Sequence, residues 1–313
     1  MHATRRQALV AGGCGIAAVL GDGAAVWRDA AATEPTDPNR DGAGDAANTV
    51  AILNDTHIGE SQADGHAHPE NLRTAIGQIL ALEPRPAAVI VNGDLAMSVG
   101  TPGDYRRFVE LIEPLRAALP VHLTLGNHDT REEFLRGVPR VASASRLAEH
   151  RHTGIVDLPH ARLVLLDSLK DTPAAPGRLG ADQIEWLVAQ ADAVTVKPVV
   201  VVAHHNPRVG GDAVHFPGGI EDTESFWPDL VSRPQVKAFI HGHVHDWTLG
   251  MHSGIHVVNT PASAMLADRR VSANGWTLAT FAPEGMLLQI RTYESGHRWN
   301  GERKWLFWRQ PRA

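Results

Sequence analysis

Seven side chains in this 313-residue sequence could act together as metal ligands: Asp55, His57, Asp94, Asn127, His204, His243 and His245. They fall in five clusters, Asn54-Asp55-Thr56-His57, Asn92-Gly93-Asp94, Gly126-Asn127-His128-Asp129, His204-His205 and His241-Gly242-His243-Val244-His245. Imidazole nitrogen, carboxylate and amide oxygen form a hard-to-borderline set suited to Mn, Fe, Co, Ni or Zn, and the lack of sulfur disfavours copper(I). Seven ligands exceed what one ion takes, whereas two ions with four ligands each require one Asp to be shared. Two ions about 3.5 Å apart polarise a phosphoryl oxygen and generate hydroxide at neutral pH. Four positive charges against two carboxylates and one hydroxide leave the centre net positive, which favours an anionic substrate.

Each residue has a simpler explanation when taken alone. Asp55 and Asp94 could cap helices, Gly126-Asn127 could be an ordinary turn, and His204 and His243 could be core histidines. Recurrence of D-x-H, G-D, G-N-H-D and H-x-H in one chain is what favours chemistry. His205 and His241 are expected behind the ligands rather than among them. His66 and His68 are expected as solvated loop residues near the mouth.

All five clusters end apolar, β-rich runs: Val50 to Leu53, Val89 to Val91, Val121 to Leu125, Val199 to Ala203 and Val236 to Ile240. Short strands alternating with helical segments predict an α/β sheet whose ligand sits beyond the carboxyl ends of the strands, so the clusters should meet at one edge. Helices are predicted over Glu70 to Leu82, over Leu179 to Ala191, and after Thr101-Pro102-Gly103-Asp104, which reads as a capping box with Pro at N1. Residues 130–152 read as a helical insertion near the cleft. Arg162 to Asp167, Ile255 to Asn259, Thr277 to Phe281 and Met286 to Thr292 lack ligand clusters and are assigned to a second sheet stacked on the first. Trp299, Trp305 and Trp308 predict a tail laid on an apolar surface or a contact in a homo-oligomer.

A net charge of −6 with no basic stripe provides no footprint for nucleic acid. Residues 1–32 read as an export signal: Thr4-Arg5-Arg6-Gln7 precedes an apolar run from Ala8 to Leu20, and Ala30-Ala31-Ala32 offers a cleavage site. The run is too short to span a bilayer, so no transmembrane helix is expected in the mature chain. The paired arginines favour the twin-arginine route over the general secretory one, to the periplasm or beyond. Cys14, the only cysteine, would leave with the signal. Residues 33–48 read as a flexible linker, and residues 49–313 as the catalytic domain with its Trp-rich extension.

The ordered blocks Asp55-x-His57, Gly93-Asp94, Gly126-Asn127-His128-Asp129, His204 and Gly242-His243-x-His245 resemble the signature of calcineurin-like metallophosphoesterases. The resemblance runs from Val50 to Ala264 and implies a four-layer α/β/β/α sandwich of two stacked mixed sheets. It also implies two divalent ions (Mn, Fe, Co or Zn), one held by Asp55, His57 and His245, the other by Asn127, His204 and His243, with Asp94 shared. His128 would contact phosphate or protonate the leaving group, with Asp129 orienting it, and Arg131 is a further substrate contact. Gly93-Asp94-Leu95, Leu165 to Ser168 (LLDS) and Leu179 to Leu187 (LGADQIEWL) are similar to the cyclic nucleotide and glycerophosphodiester phosphodiesterase branch. Asn206 and Met97 depart from it. The implied activity is hydrolysis of a small phosphodiester by a metal-bound hydroxide. The alternatives are a phosphomonoesterase on the same site and a non-catalytic binding protein. Purple acid phosphatases place Tyr where Met97 stands, and protein phosphatases place Arg where Ser98 and Leu125 stand.

Overall fold

A computed structural model describes residues 24–26, 45–61, 67–139, 144–147, 151–210 and 218–310. One sheet has six strands: β2 (Thr49–Asn54), β3 (Ala88–Asn92), β4 (Val121–Thr124), β12 (Gly275–Phe281), β13 (Gly285–Thr292) and β14 (Arg303–Phe307), in the order β14-β13-β12-β2-β3-β4. The other has eight: β1 (Ala24–Val26), β5 (Ala144–Leu147), β6 (Arg151–Asp157), β7 (Arg162–Leu165), β8 (Val199–Val202), β9 (Val236–His241), β10 (Thr248–His252) and β11 (Ile255–Asn259). Their order is β1-β10-β11-β9-β8-β7-β6-β5. The parallel strands are β2-β3-β4, at one end of the first sheet, and β11-β9-β8-β7, in the middle of the second, with antiparallel strands beyond them.

The strand sequences explain the stacking. In β2, alternate residues face opposite sides, and both sides are apolar and buried. Val50 and Ile52 join a core shared with Leu163, Val200, Val202 and Ile240 of the other sheet. Ala51 and Leu53 face α1 (His68–Leu80) and α2 (Pro102–Ala118), packing with Leu72, Ile79, Phe108 and Ile112. On the far side, Val199, Val201 and Phe239 pack with Leu187 of α4 (Ala181–Asp192) and Phe226 and Leu230 of α5 (Thr223–Ser232). The result is the four-layer α/β/β/α sandwich that the sequence implies.

The assignment of strands to sheets is corrected. The five ligand-bearing strands do not share a sheet: β2, β3 and β4 lie in one, β8 and β9 in the other. The strands assigned to a second sheet are divided as well, β7 and β11 joining β8 and β9 while β12 and β13 join β2. The predicted helical insertion yields only α3 (Arg131–Gly137), followed by β5 and β6. β10, β14 and α5 carry weak signals. Gly250 interrupts β10, and Pro228 interrupts the pattern of α5.

The capping box at Thr101 and Asp104 is present, each side chain accepting the other's backbone N–H. The Trp-rich tail packs within the chain: Trp299 and Trp308 are buried, and Trp305 lies in β14. Beyond it, the Arg309 guanidinium donates to the carbonyls of Leu230, Val231, Arg233, Val236 and Ser253, collecting the open end of α5. Within the segment read as linker, Asp45 accepts from Asn48 and Thr49. Arg5, Arg6, Cys14, Ala30 to Ala32 and residues 33–44 lie outside the described residues, whereas Ala24–Val26 pairs antiparallel with β10. No helix among the described residues is long and apolar enough to cross a membrane.

Candidate metal centre

The clusters meet where the two sheets present the same edge. Below them lies a buried polar ladder: Thr124 donates to Asn92, Asn92 donates to Asn54 and to the Ala203 carbonyl, and Asn54 donates to Thr260. Asn54 and Asn92 are the last residues of β2 and β3, so the ladder fixes the strand ends across both sheets. Asn54 and Asn92 belong to the motifs as read from sequence, but nothing in their type separated this role from ordinary turn chemistry, and Thr260 lies outside the motifs altogether.

Above the ladder the backbone turns sharply. Asp55, His57, Asp94, His243 and His245 all take positive φ, from 45° to 66°. That left-handed conformation disfavours residues with a Cβ by roughly 1–2 kcal/mol each, and such strain gathers at sites where it aims side chains. Two glycines leave the room required. A Cβ on Gly93 would lie 2.5 Å from the His204 ring, and one on Gly126 would lie 2.2 Å from Asp94 Oδ1.

Asp55, His57, Asp94 and His245 present ligand atoms that all lie within 4.8 Å of one another, and His204, His205 and His243 form a second such group. His245 Nε2 lies 3.2 Å from Asp55 Oδ1, and His57 Nε2 lies 3.4 Å from His245 Nε2. Asp94 Oδ2 is 3.6 Å from His57 Nε2 and 3.3 Å from His204 Nε2, facing both groups as a shared ligand must. The Nδ1 atoms of His57 and His204 face the Met97 and Asn92 carbonyls, which assigns their protons outward and turns the Nε2 lone pairs inward. Asn127 Oδ1 and His204 Nε2 are buried without a hydrogen-bond partner. Orphaned acceptors beside two buried carboxylates are what a divalent cation satisfies, so the residues fit a divalent metal site.

The electrostatics agree. Burial works against ionisation of Asp94, but His204 and His57 outweigh it and hold the carboxyl well below its usual range. Burial lowers His57 to about 4 and, aided by His204, His243 to about 3, so both are neutral ligands at neutral pH. Burial disfavours the His204 cation too, yet Asp94 and Asp55 raise it to about 9. The carboxylates thus demand a positive charge between them, which a metal ion supplies in place of a proton.

His128 stands at the rim. Its backbone N–H donates to Asp94 Oδ1 at 2.8 Å, its ring is 5.0 Å from that of His57, and its Nδ1 lies 2.9 Å from the Ser98 carbonyl. Ser98, not Asp129, therefore orients it. Asp129 faces inward, fully buried, accepting from the backbone of Gly126, Leu95 and Ala96 and from the Tyr105 hydroxyl, which makes it the clasp of two ligand loops. Burial and the neighbouring Asp94 raise its pKa to about 7 against those donors. Arg131, expected at the substrate, is engaged by Asp167 through two hydrogen bonds of 2.7 and 3.0 Å and by the Leu169 carbonyl.

His205 joins the second nitrogen group with Nδ1 2.8 Å from Ser168 Oγ, and His241 Nδ1 faces the Gly242 carbonyl. His68 is not a solvated loop residue. It opens α1, is buried, and sets Nδ1 3.0 Å from the His57 carbonyl. His66 lies outside the described residues.

Known proteins resemble this chain in sequence and in fold. The chain is 28% identical over 245 residues to the 3′,5′-cyclic adenosine monophosphate phosphodiesterase CpdA of Vibrio vulnificus, covering 75% of this chain and 84% of that protein. It is 28% identical over 189 residues to the glycerophosphodiester phosphodiesterase GpdQ of Enterobacter lignolyticus, covering 60% and 66%. A dimetal phosphatase from Danio rerio superposes with a TM-score of 0.65 at 18% identity, over 85% of this chain and all of the other, a likeness of fold. Residues 49–247 match the family model of calcineurin-like phosphoesterases. That span begins with β2 and ends just past His245, enclosing every candidate ligand, and the chain belongs to the calcineurin-like phosphoesterase family as a metal-dependent phosphoric ester hydrolase.

Proposed function

We propose that the protein is an exported phosphodiesterase working with two divalent transition-metal ions drawn from Mn, Fe, Co and Zn. Asp55, His57 and His245 would hold one ion, Asn127, His204 and His243 the other, and Asp94 would serve both. The observation that carries this reading is Asp94 Oδ2 facing ligand nitrogens of both groups. When bound, the ions supply Lewis acidity toward a phosphoryl oxygen and lower the pKa of water. The chain itself does the rest. Two carboxylates against two divalent ions leave a positive centre that draws an anionic ester. A carbonyl only accepts, so His128 Nδ1 keeps its hydrogen on Ser98, and Nε2 is the ring atom from which a proton would pass to a departing alkoxide.

Preference for diesters is supported by the positions around the anion. Ser98 and Leu125 stand where protein phosphatases carry arginine, and Arg131 is committed to Asp167. A monoester dianion has one more charge to be met than a diester. The relatives named for cyclic nucleotide and glycerophosphodiester hydrolysis agree with this preference. Export, read from Arg5, Arg6 and the apolar run, favours external glycerophosphodiesters or nucleotide-derived diesters. The test is kcat/KM for bis- and mono-nitrophenyl phosphate at matched pH and metal. The diester should be preferred, and a tenfold monoester preference overturns the reading. Replacing Arg5 and Arg6 by Lys should retain the protein inside the cell, whereas continued export assigns it to the general secretory route.

A further inference from the structure

The segment from Asp167 to Thr172 carries no ligand, yet it touches a ligand loop of each sheet. It leaves the end of β7, beside β8, and its Ser168 Oγ is 2.8 Å from His205 Nδ1 and accepts the His205 N–H at 3.2 Å. Toward the other sheet, Thr172 donates to the Asp129 carbonyl, and Asp167 takes the Arg131 fork. Asp167 is fully buried and spends its remaining capacity on the backbone N–H groups of His152 and Leu169. Gln183 of α4 locks it from behind, accepting from its N–H and donating to its carbonyl. One short stretch thus grips the Gly126–Asp129 loop and the His204-His205 loop at once.

We propose that Asp167 is a positioning residue that sets the spacing between Asn127 and His204 and thereby the affinity of the metal position those two share. The inference rests on the two-metal reading above. Asn127 and His204 come from different sheets, and no backbone hydrogen bond of a shared sheet fixes one against the other. A buried bidentate carboxylate–guanidinium pair is both strong and directional, which suits it to holding two loops in register. The other metal position draws Asp55 and His57 from the loop after β2 and His245 from the loop after β9, whereas the hydrogen bonds named above run from this segment to the other two ligand loops. Groups that orient ligands from behind typically change metal affinity by about 10- to 100-fold when removed.

The experiment is calorimetric titration of the chelated full-length protein with Mn, alongside Asn127→Ala and His57→Ala to mark which binding step belongs to which position. Asp167→Asn should weaken the Asn127 step by tenfold or more and leave the His57 step within twofold, a selectivity that the Tm it loses by turning an amide donor toward buried N–H groups does not produce. Arg131→Lys keeps the charge but loses the fork and should weaken the same step, which keeps the proposal testable if Asp167→Asn fails to fold. Equal weakening of both steps, or loss of affinity only in proportion to lost Tm, means a merely structural role and overturns it, as does an unchanged Asn127 step. A wild type that binds a single ion overturns this inference and the two-metal reading together. A protein that binds two ions but prefers monoesters overturns only the substrate reading.

Discussion

His128 and Asp129 are neighbours with opposite orientations, and the difference predicts opposite phenotypes. His128→Ala should keep both metals and lower kcat by roughly 10²- to 10⁴-fold for alkyl leaving groups. Loss for nitrophenyl, which departs unaided, should be smaller, and equal losses would assign the ring to charge stabilisation alone. Asp129→Asn should instead lower stability. Its amide would turn a donor either toward the N–H groups of Leu95 and Gly126 or toward that of Ala96, leaving buried donors unpaired at about 1–3 kcal/mol each. Urea melts of the metal-free variant check this, and the dependence on leaving group should match wild type. A third residue contributes to acid stability alongside the buried His57 and His243. Burial depresses His122 in β4 to about 4, against 6.5 when unfolded. Below pH 6.5 the unfolded chain takes up a proton that the folded one refuses, so stability present above 6.5 is lost as pH falls toward 4, by up to about 3 kcal/mol. His122→Gln in the chelated protein should flatten that limb of the Tm profile, and an unchanged slope would exclude His122 as its source.

At the level of elements, α2 joins the fold to the site. Thr101 caps it, and Tyr105 in its first turns donates to Asp129 and accepts from Thr130 N–H at 2.8 Å, so the helix start and the Asn127 loop move together. Thr101→Ala should lower stability by about 1 kcal/mol. A chemical melt of metal-loaded and chelated protein measures it, and a loss seen only in the loaded form would mean that the cap acts through the site. The capping box was legible because its residue types and spacing have few other uses. The ligands were legible for the same reason, as strand ends with unusual concentrations of Asp and His. What stayed hidden is long-range. Partition of the motif strands between sheets leaves no local trace, because β3 and β8 carry similar Val-rich sequences and both bury two faces. Asp167 looked like a strand terminus, and its partner Arg131 looked like a phosphate contact, since a guanidinium suits either anion. His68 followed a Gly- and His-rich stretch and read as solvent-facing, and only the three-dimensional path of α1 places it behind His57.

Taken whole, the molecule carries a ligand set divided between two sheets, so metal and fold should stabilise each other. Any ligand that binds only the native state adds RT ln(1 + [L]/Kd), about 2.7 kcal/mol at a hundredfold excess over Kd. Chelation should therefore lower Tm and abolish hydrolysis, and Mn, Co or Zn should restore both. Elemental analysis should find two ions per chain, and an active enzyme with only one would remove the basis for a shared Asp94. The order of strands has a further consequence for how the chain is made. β2 lies at the centre of its sheet, but the partner on one side, β12, is encoded more than two hundred residues later, with Ile52 opposite Thr277. At about 5–20 residues per second of synthesis, that edge of β2 waits of order ten seconds or more for its partner to leave the ribosome. Nascent chains stalled ahead of β12 should thus remain protease-sensitive and recruit chaperones, and release of β12 with the residues after it should convert them in a single step to resistant, metal-competent protein.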